Sequence, residues 1–413
     1  MRFCAGRNVG IAKGAILAAV LGAVLAGCAT PMVRNGISSA DLANRASIAG
    51  LPGVRFWGDE VPSDFRAELR RRLPHMPRLA QNADRESGRP VVEILALSGG
   101  GSDGAFGAGL LTGWTERGDR PEFEVVTGVS AGAIIAPFAF LGPKYDPALK
   151  TIWTHYRTSQ IVTAQILPGL LGGSSLADTT PLDDLISKYV TPAFLRAIAR
   201  EYRRGRLLLV GTTNLDAQRP VVWNMGEIAA SRDPYALELF RDVIKASAAI
   251  PGAFPPVKIP VVADGKNYDE LHVDGGTTRE VFVSPINVPF STYDPLYAKR
   301  PIRRLYVIKN GKAVPEQMVV KPKTLDIATR SIATLIKSQN IGEIYRIWRM
   351  SRDNGADFNF IAVPPTFSVV AQEAFDPVYL EALFETGRKL GRSRKPWMKK
   401  PPDLVPRQSG WAR

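Results

Sequence analysis

Cysteine and histidine are almost missing from this 413-residue chain, which has two of the first and three of the second. Both cysteines, Cys4 and Cys28, fall within the first thirty residues, so the rest of the chain can form neither a disulfide nor a cysteine-based zinc site. The histidines, His75, His155 and His272, are far apart and not paired at ligand spacing, so no histidine-built metal centre is expected. No internal repeat is present. The longest apolar run, residues 14–27, has 14 residues, whereas a membrane-crossing helix needs about 20.

That run follows Arg2, Arg7 and Lys13, the pattern of a secretory signal. It ends in Leu25-Ala26-Gly27-Cys28, which resembles the lipobox of bacterial lipoproteins. The resemblance implies cleavage before Cys28, acylation of that residue, and a membrane partner reached through a lipid anchor. Ala29 in place of Asp favours the outer membrane facing the periplasm over the inner membrane. Residues 1–27 are therefore read as a signal peptide and 28–90 as a tether and N-terminal extension, with a short helix over 62–73.

The chain carries a net charge of +14, and basic residues are dense beyond position 388 among several prolines. Residues 391–413 read as a disordered tail, either simply solvated or drawn to anionic head groups. Nucleic acid is not an expected partner of an exported chain.

At Val91 the pattern changes to a short apolar, β-branched run, the mark of a buried strand. Helices over 105–117 and 131–141 alternate with strands over 123–127 and 206–213, which predicts a parallel sheet covered on both faces. A domain over 91–312 follows, then a helical and strand cap over 313–390 packed on that domain. The cap's long helix has Leu325, Ala328, Ile332, Leu335 and Ile336 on one face, read as core-packing.

Three motifs carry chemistry. Gly99-Gly100-Gly101-Ser102-Asp103-Gly104 follows a strand and precedes a helix, as a phosphate cradle would. It lacks the Lys-Ser/Thr of a P-loop, and the next strand does not end in the acid of a dinucleotide site. The same amides can donate to the oxyanion of a tetrahedral intermediate. Gly128-Val129-Ser130-Ala131-Gly132 sits between strand and helix, as a nucleophile elbow requires, with small residues at 128 and 132.

Ser130 needs a base, and no histidine follows 272, which removes the usual Ser-Asp-His order. Asp274, held by Gly275 and Gly276 at a strand end, is the better acceptor. A triad through His272 remains a rival, and an Asp-Gly turn without catalytic role is the bland alternative.

In this order the motifs resemble those of patatin-like phospholipases, as does Ala246-Ser247-Ala248-Ala249-Ile250-Pro251-Gly252 ahead of Asp274. The resemblance covers roughly residues 92–290. It implies an α/β fold, a three-layer α/β/α domain with a mainly parallel central sheet. It also implies a Ser130–Asp274 dyad forming an acyl-enzyme, an oxyanion hole around Gly100, Gly101 and Ser102, a phospholipid or other acyl ester as substrate, and no metal or organic cofactor. Asp103 stands where the family often has Arg or Lys, which puts anionic phosphate recognition in doubt. Thr277-Thr278-Arg279-Glu280 replaces the usual Asn and Pro after Gly276, which leaves the positioning of Asp274 open. A catalytically silent lipid- or partner-binding envelope protein and an acyltransferase using the same dyad are the competing functions.

Overall fold

Strand β2 (Val91–Leu97) is buried along its whole length, because its neighbours on both sides are parallel strands and helices cover both faces. The structure, a computed structural model, describes residues 33–61, 83–84, 86–161, 163–164, 177–283 and 288–402. The signal, Cys28, His75 and the helix expected over 62–73 lie outside them.

Among the described residues the central sheet has nine strands. With β1 (Arg55–Trp57), β3 (Val125–Val129), β4 (Leu207–Asn214), β5 (Arg219–Asn224), β6 (Val257–Ala263), β7 (Lys266–Asp274), β8 (Ile302–Lys312) and β9 (Asp357–Val363), its main path runs β1-β5-β4-β3-β2-β8-β9. The five strands from β4 to β9 on that path are parallel, while β1, β5 and the β6–β7 hairpin add antiparallel pairs at one end. The sheet is thus mixed, with a parallel centre.

Alternate residues of the parallel strands feed two cores. Leu95, Leu97, Tyr306 and Ile308 pack with α1 (Gly104–Arg117), α2 (Ala131–Leu141), α6 (Ala236–Ser247) and α8 (Pro377–Arg392). Ile94, Ala96, Leu305 and Val307 pack on the other face against Ile344 and Ile347 of α7 (Thr324–Asp353). For chain-order numbering, α3 is Asp146–Thr154, α4 Thr180–Tyr189 and α5 Pro192–Arg203, all around the first core. The result is three layers, α/β/α. Among the described residues no helix is long and apolar enough to cross a membrane.

The tether, the face of α7 and the tail differ from expectation. Residues 33–61, read as tether, are built into the fold: β1 pairs with β5, Arg34 pairs with Asp216, and Arg55 grips Glu270 by two hydrogen bonds. The segment expected as a cap packed on the domain lies with α8 directly on α1, and it also extends the central sheet, with β9 as an edge strand. The face of α7 read as core-packing is not buried: Ala328, Ile332 and Leu335 are exposed and Ile336 half-buried. The reason is length. Only the second half of this helix reaches the sheet, through Ile344 and Ile347, and the first half overhangs a cleft. The described part of the tail is pinned as well: Met398 and Phe360 exchange backbone hydrogen bonds of 2.8 Å, and Trp397 packs 4.8 Å from Trp114 between ring centres.

Candidate active site

The register of three strands brings the two expected catalytic residues together. β3 pairs with β4 only as far as Val129 opposite Gly211, and Ser130 follows at once. Beyond that point the freed edge of β4 pairs with β7, with Thr212 opposite Asp274. The end of β7 therefore occupies the space next to the end of β3. Asp274 and Ser130 become neighbours across 144 positions because one strand stops where another takes its place.

Ser130 has φ 54° and ψ −123°, a region that non-glycine residues rarely occupy. Such strain persists only where the surroundings over-determine it, and here they do. A Cβ at Gly128 would come 2.3 Å from the Gly132 carbonyl oxygen, and one at Gly132 would come 2.4 Å from that of Leu97. The Ser130 amide donates to Ser247 Oγ at 2.9 Å, and the Ser247 hydroxyl donates onward to the Gly211 carbonyl at 2.6 Å.

Asp274 is buried and accepts the Gly276 amide at 2.7 Å. Burial pushes its carboxyl up to about 7, against the opposing pull of hydrogen bonds from the Ser130 hydroxyl and the Gly276 amide, and the nearby Glu280 adds to the rise. The segment after Gly276 supports this placement although it departs from the expected Asn and Pro. Glu343 of α7 accepts the amides of both Glu280 and Val281, at 3.0 and 3.2 Å, and Arg279 reaches the Gly58 carbonyl at 2.7 Å.

His272 is fully buried with both ring nitrogens engaged away from Ser130. Trp223 donates to the Thr212 hydroxyl at 2.8 Å, leaving that hydroxyl to donate to Nδ1 at 3.0 Å, so Nε2–H faces Glu270 at 3.0 Å. Burial holds the ring below its usual range, hence neutral. The rival triad through His272 has no geometric support.

The glycine loop divides by what its amides do. Gly99 donates to the Glu280 carbonyl at 3.0 Å, and Gly104 donates back into the loop. Gly101 and Ser102 open a short 3-10 helix, Gly101–Asp103, whose first amides have no intrahelical acceptor, and Gly100 precedes them. Those three are the available donors, and they line the same cavity as Ser130. Gly100 has φ 153°, and a Cβ there would meet the Asn310 carbonyl oxygen at 1.9 Å. Asn310 also ties the loop to α1: its Nδ2 donates to the Ser98 carbonyl at 2.7 Å while its Oδ1 accepts the Gly107 amide at 3.1 Å.

Asp103 turns away from Ser130 and accepts the Tyr379 hydroxyl at 2.5 Å, with burial raising its carboxyl to about 6. Ser130 lies at the junction of two spaces. One is an apolar cavity of about 360 Å³ lined by Ile134, Phe138, Leu182 and Phe254. The other is a more polar cleft of about 770 Å³ bordered by Glu280, Lys309, Lys312 and Lys337. Glu280 and Lys309 form a buried pair at 3.7 Å, beside Gly99 and Ser130.

Ser247, Asn310 and Glu280 were not singled out as site residues by sequence. Each acts on a segment distant in the chain; the local signals are the 246–252 segment that holds Ser247 and the Asn-Gly step at 310–311. Ser247→Ala would leave the Ser130 amide unpaired inside the fold, at about 1–3 kcal/mol. Turnover of an acyl ester should fall about tenfold with KM nearly unchanged, as steady-state kinetics would resolve. An unchanged kcat would mean that Ser247 does not position the elbow.

Among the described residues no cluster of His, Cys, Asp and Glu could hold a metal ion. Residues 95–288 match the family model described as patatin-like phospholipase. No curated protein matches the chain. Similar solved structures include VipD from Legionella pneumophila, at 14% identity and TM-score 0.35, covering 76% of this chain and 70% of that one. The human GIVD cytosolic phospholipase A2 is 10% identical, with TM-score 0.33 and coverage of 76% and 55%. ExoU in complex with SpcU from Pseudomonas aeruginosa is 15% identical, with TM-score 0.29 and coverage of 74% and 52%. The chain thus spans little more than half the length of the last two.

Proposed function

From a patatin-like phospholipase domain over residues 95–288, we propose that this protein hydrolyses acyl esters of phospholipids through Ser130 and Asp274. The observation that carries the reading is the strand register that sets a buried, ionisable carboxyl against a strained serine at the mouth of an apolar cavity.

In the acylation step, the ionised Asp274 takes the Ser130 proton as Oγ bonds to the acyl carbon. The carbonyl oxygen gains the negative charge, and the amides of Gly100, Gly101 and Ser102 are the donors available to hold it. Collapse breaks the ester C–O bond, and the proton on Asp274 passes to the departing alkoxide. Water then attacks the acyl-enzyme, again giving its proton to Asp274. Collapse then breaks the bond between the acyl carbon and Oγ, the proton on Asp274 returns to Oγ, and a fatty acid leaves with Ser130 and the Asp274 carboxylate restored. The apolar cavity suits the acyl chain, and the wider cleft with its lysines suits the glycerol and head group.

A lipid anchor at Cys28 would hold the domain beside such substrates at the envelope, the outer membrane being favoured. Two chains already suffice for stable membrane attachment.

The test is lipid analysis after incubating purified protein with mixed phospholipids. Free fatty acid and lysophospholipid should appear in equal amounts with wild type, and neither with Ser130→Ala. Esterified acceptor without free acid would assign acyl transfer instead. A folded wild type that yields neither and resists a fluorophosphonate probe at Ser130 would leave a silent binding protein.

A further inference from the structure

Scattered single apolar residues on a surface need no explanation, but several gathered around one opening do. Two segments border the spaces that meet at Ser130. The first runs from Lys312 into the free half of α7, where Ile332, Ile336 and Lys337 line the wider cleft. On it Val319 is 94% exposed and Leu335 70%, with Met318 and Ile327 also more than half exposed. The second runs from β9 into α8, where Ala374 and Phe375 line the apolar cavity. On it Val370 and Val378 are each 73% exposed, and Val369 is exposed too. The two segments converge at Asp103, which accepts the Tyr379 hydroxyl and feels the charge of Glu316.

The first rim is also cationic. Between residues 312 and 338 it carries Lys312, Lys321, Lys323, Arg330 and Lys337 against only Glu316 and Asp326. Glu316 gathers Lys312 at 3.6 Å and Lys337 at 2.6 Å, and its carbonyl accepts Arg330 at 2.5 Å. One carboxylate therefore serves two cations and a main-chain carbonyl a third, while Lys321 and Lys323 stand exposed. Exposed aliphatic side chains beside a surplus of Lys and Arg are the composition of a surface that enters the head-group boundary of an anionic bilayer.

We propose that these two rims are a docking surface for an anionic phospholipid bilayer, which they meet on either side of the opening to Ser130. The surface rests on the reading that the substrate is a membrane lipid. Docked this way, the apolar cavity opens toward the acyl region, and an ester can pass from bilayer to Ser130 without crossing water. The overhang of α7 then has a reason: its apolar face stays free of the core because lipid is its partner. A bilayer fits better than a protein groove because the exposed aliphatic residues lie on two segments flanking an open mouth, and the first of them adds a surplus of positive charge for the head groups, while the second, with Glu373 and Asp376 and no base between 364 and 378, contributes through its apolar residues.

The experiment uses the full chain with Cys4→Ser, Cys28→Ser and Ser130→Ala, so neither acylation nor hydrolysis contributes and failure is distinct from failure of the hydrolase reading. Single cysteines are placed by Leu335→Cys, Val370→Cys or, as a control, Asp119→Cys beyond the far end of α1, and labelled with a polarity-sensitive fluorophore. With vesicles of phosphatidylglycerol and phosphatidylcholine, labels at 335 and 370 should brighten at least twofold and shift to the blue. Position 119 should not respond, and vesicles of phosphatidylcholine alone or added salt should weaken the signal. No response at either rim, or an equal response at 119, would overturn the proposal. So would a response without vesicles that grows with protein concentration, since a second copy of the chain would then cover the face.

Discussion

Asp274→Asn should lower acyl-ester hydrolysis at pH 8 by about a thousandfold or more, and the same variant should melt at a higher temperature than wild type at that pH. The first effect follows from losing the carboxylate set against Ser130, since a serine hydroxyl without a base is a poor nucleophile. The second follows from linkage. Burial raises the Asp274 carboxyl to about 7 in the folded chain, above an unfolded value of about 4. Its neutral form therefore favours the fold, fully below pH of about 4, and that contribution is lost as pH rises through about 7. At pH 8 the buried carboxylate opposes folding by an amount on the order of 4 kcal/mol, which a neutral amide removes. Activity of the wild type runs the other way: kcat/KM should rise through pH of about 7 and level off above it, as the base ionises. A residue that only shaped the turn would lose activity and stability together when replaced. Full activity in Asp274→Asn, or a flat pH profile across neutrality, would remove Asp274 from the mechanism.

The parts of this molecule legible in sequence are those whose causes are local. The run at 91–97 is apolar and β-branched because helices cover both faces of its strand, and residues 131–141 form a helix at the expected positions. Ser130 was recognisable because the tight approach of strand and helix demands glycine at 128 and 132, two positions away on either side. Asp274 was recognisable through its own glycines. What was not legible depends on remote partners. β1 has three residues and no periodicity, and it exists because β5 offers an edge and Glu270 accepts Arg55 from 215 positions away. β6 was missed although its buried and exposed residues alternate, because Pro260 argues against a strand; as an edge strand it tolerates the lost donor. In α7 the apolar face was visible but its partner was not. Periodicity reports that a face avoids water, and it does not distinguish a protein core from a cleft mouth.

The same substitution in two helices should move stability in opposite directions. Gly109→Ala in α1 is expected to destabilise the fold by more than about 4 kcal/mol, whereas Gly342→Ala in α7 should stabilise it by about 0.5–1 kcal/mol. Helix propensity alone favours alanine at both, so the difference isolates packing. Around Gly342 a new methyl group meets nothing within 4 Å. At Gly109 it would stand 2.0 Å from the Phe384 carbonyl oxygen, which belongs to the backbone of α8 and cannot rotate aside. Three more glycines repeat the arrangement: Gly113 against the Arg388 carbonyl at 2.0 Å, Gly387 against that of Phe106 and Gly391 against that of Leu110, both at 2.2 Å. The two helices touch backbone to backbone along the pair, and one methyl must wedge them apart at every contact. Because α1 begins at the glycine loop, that wedge also displaces the amides of Gly101 and Ser102 and the Tyr379 bond to Asp103. Denaturant melts of the two variants provide the measurement, and the residual folded fraction of Gly109→Ala should show reduced turnover as well. Equal stability for both variants would mean that α8 is held loosely on α1, and the C-terminal segment would then be an appendage after all.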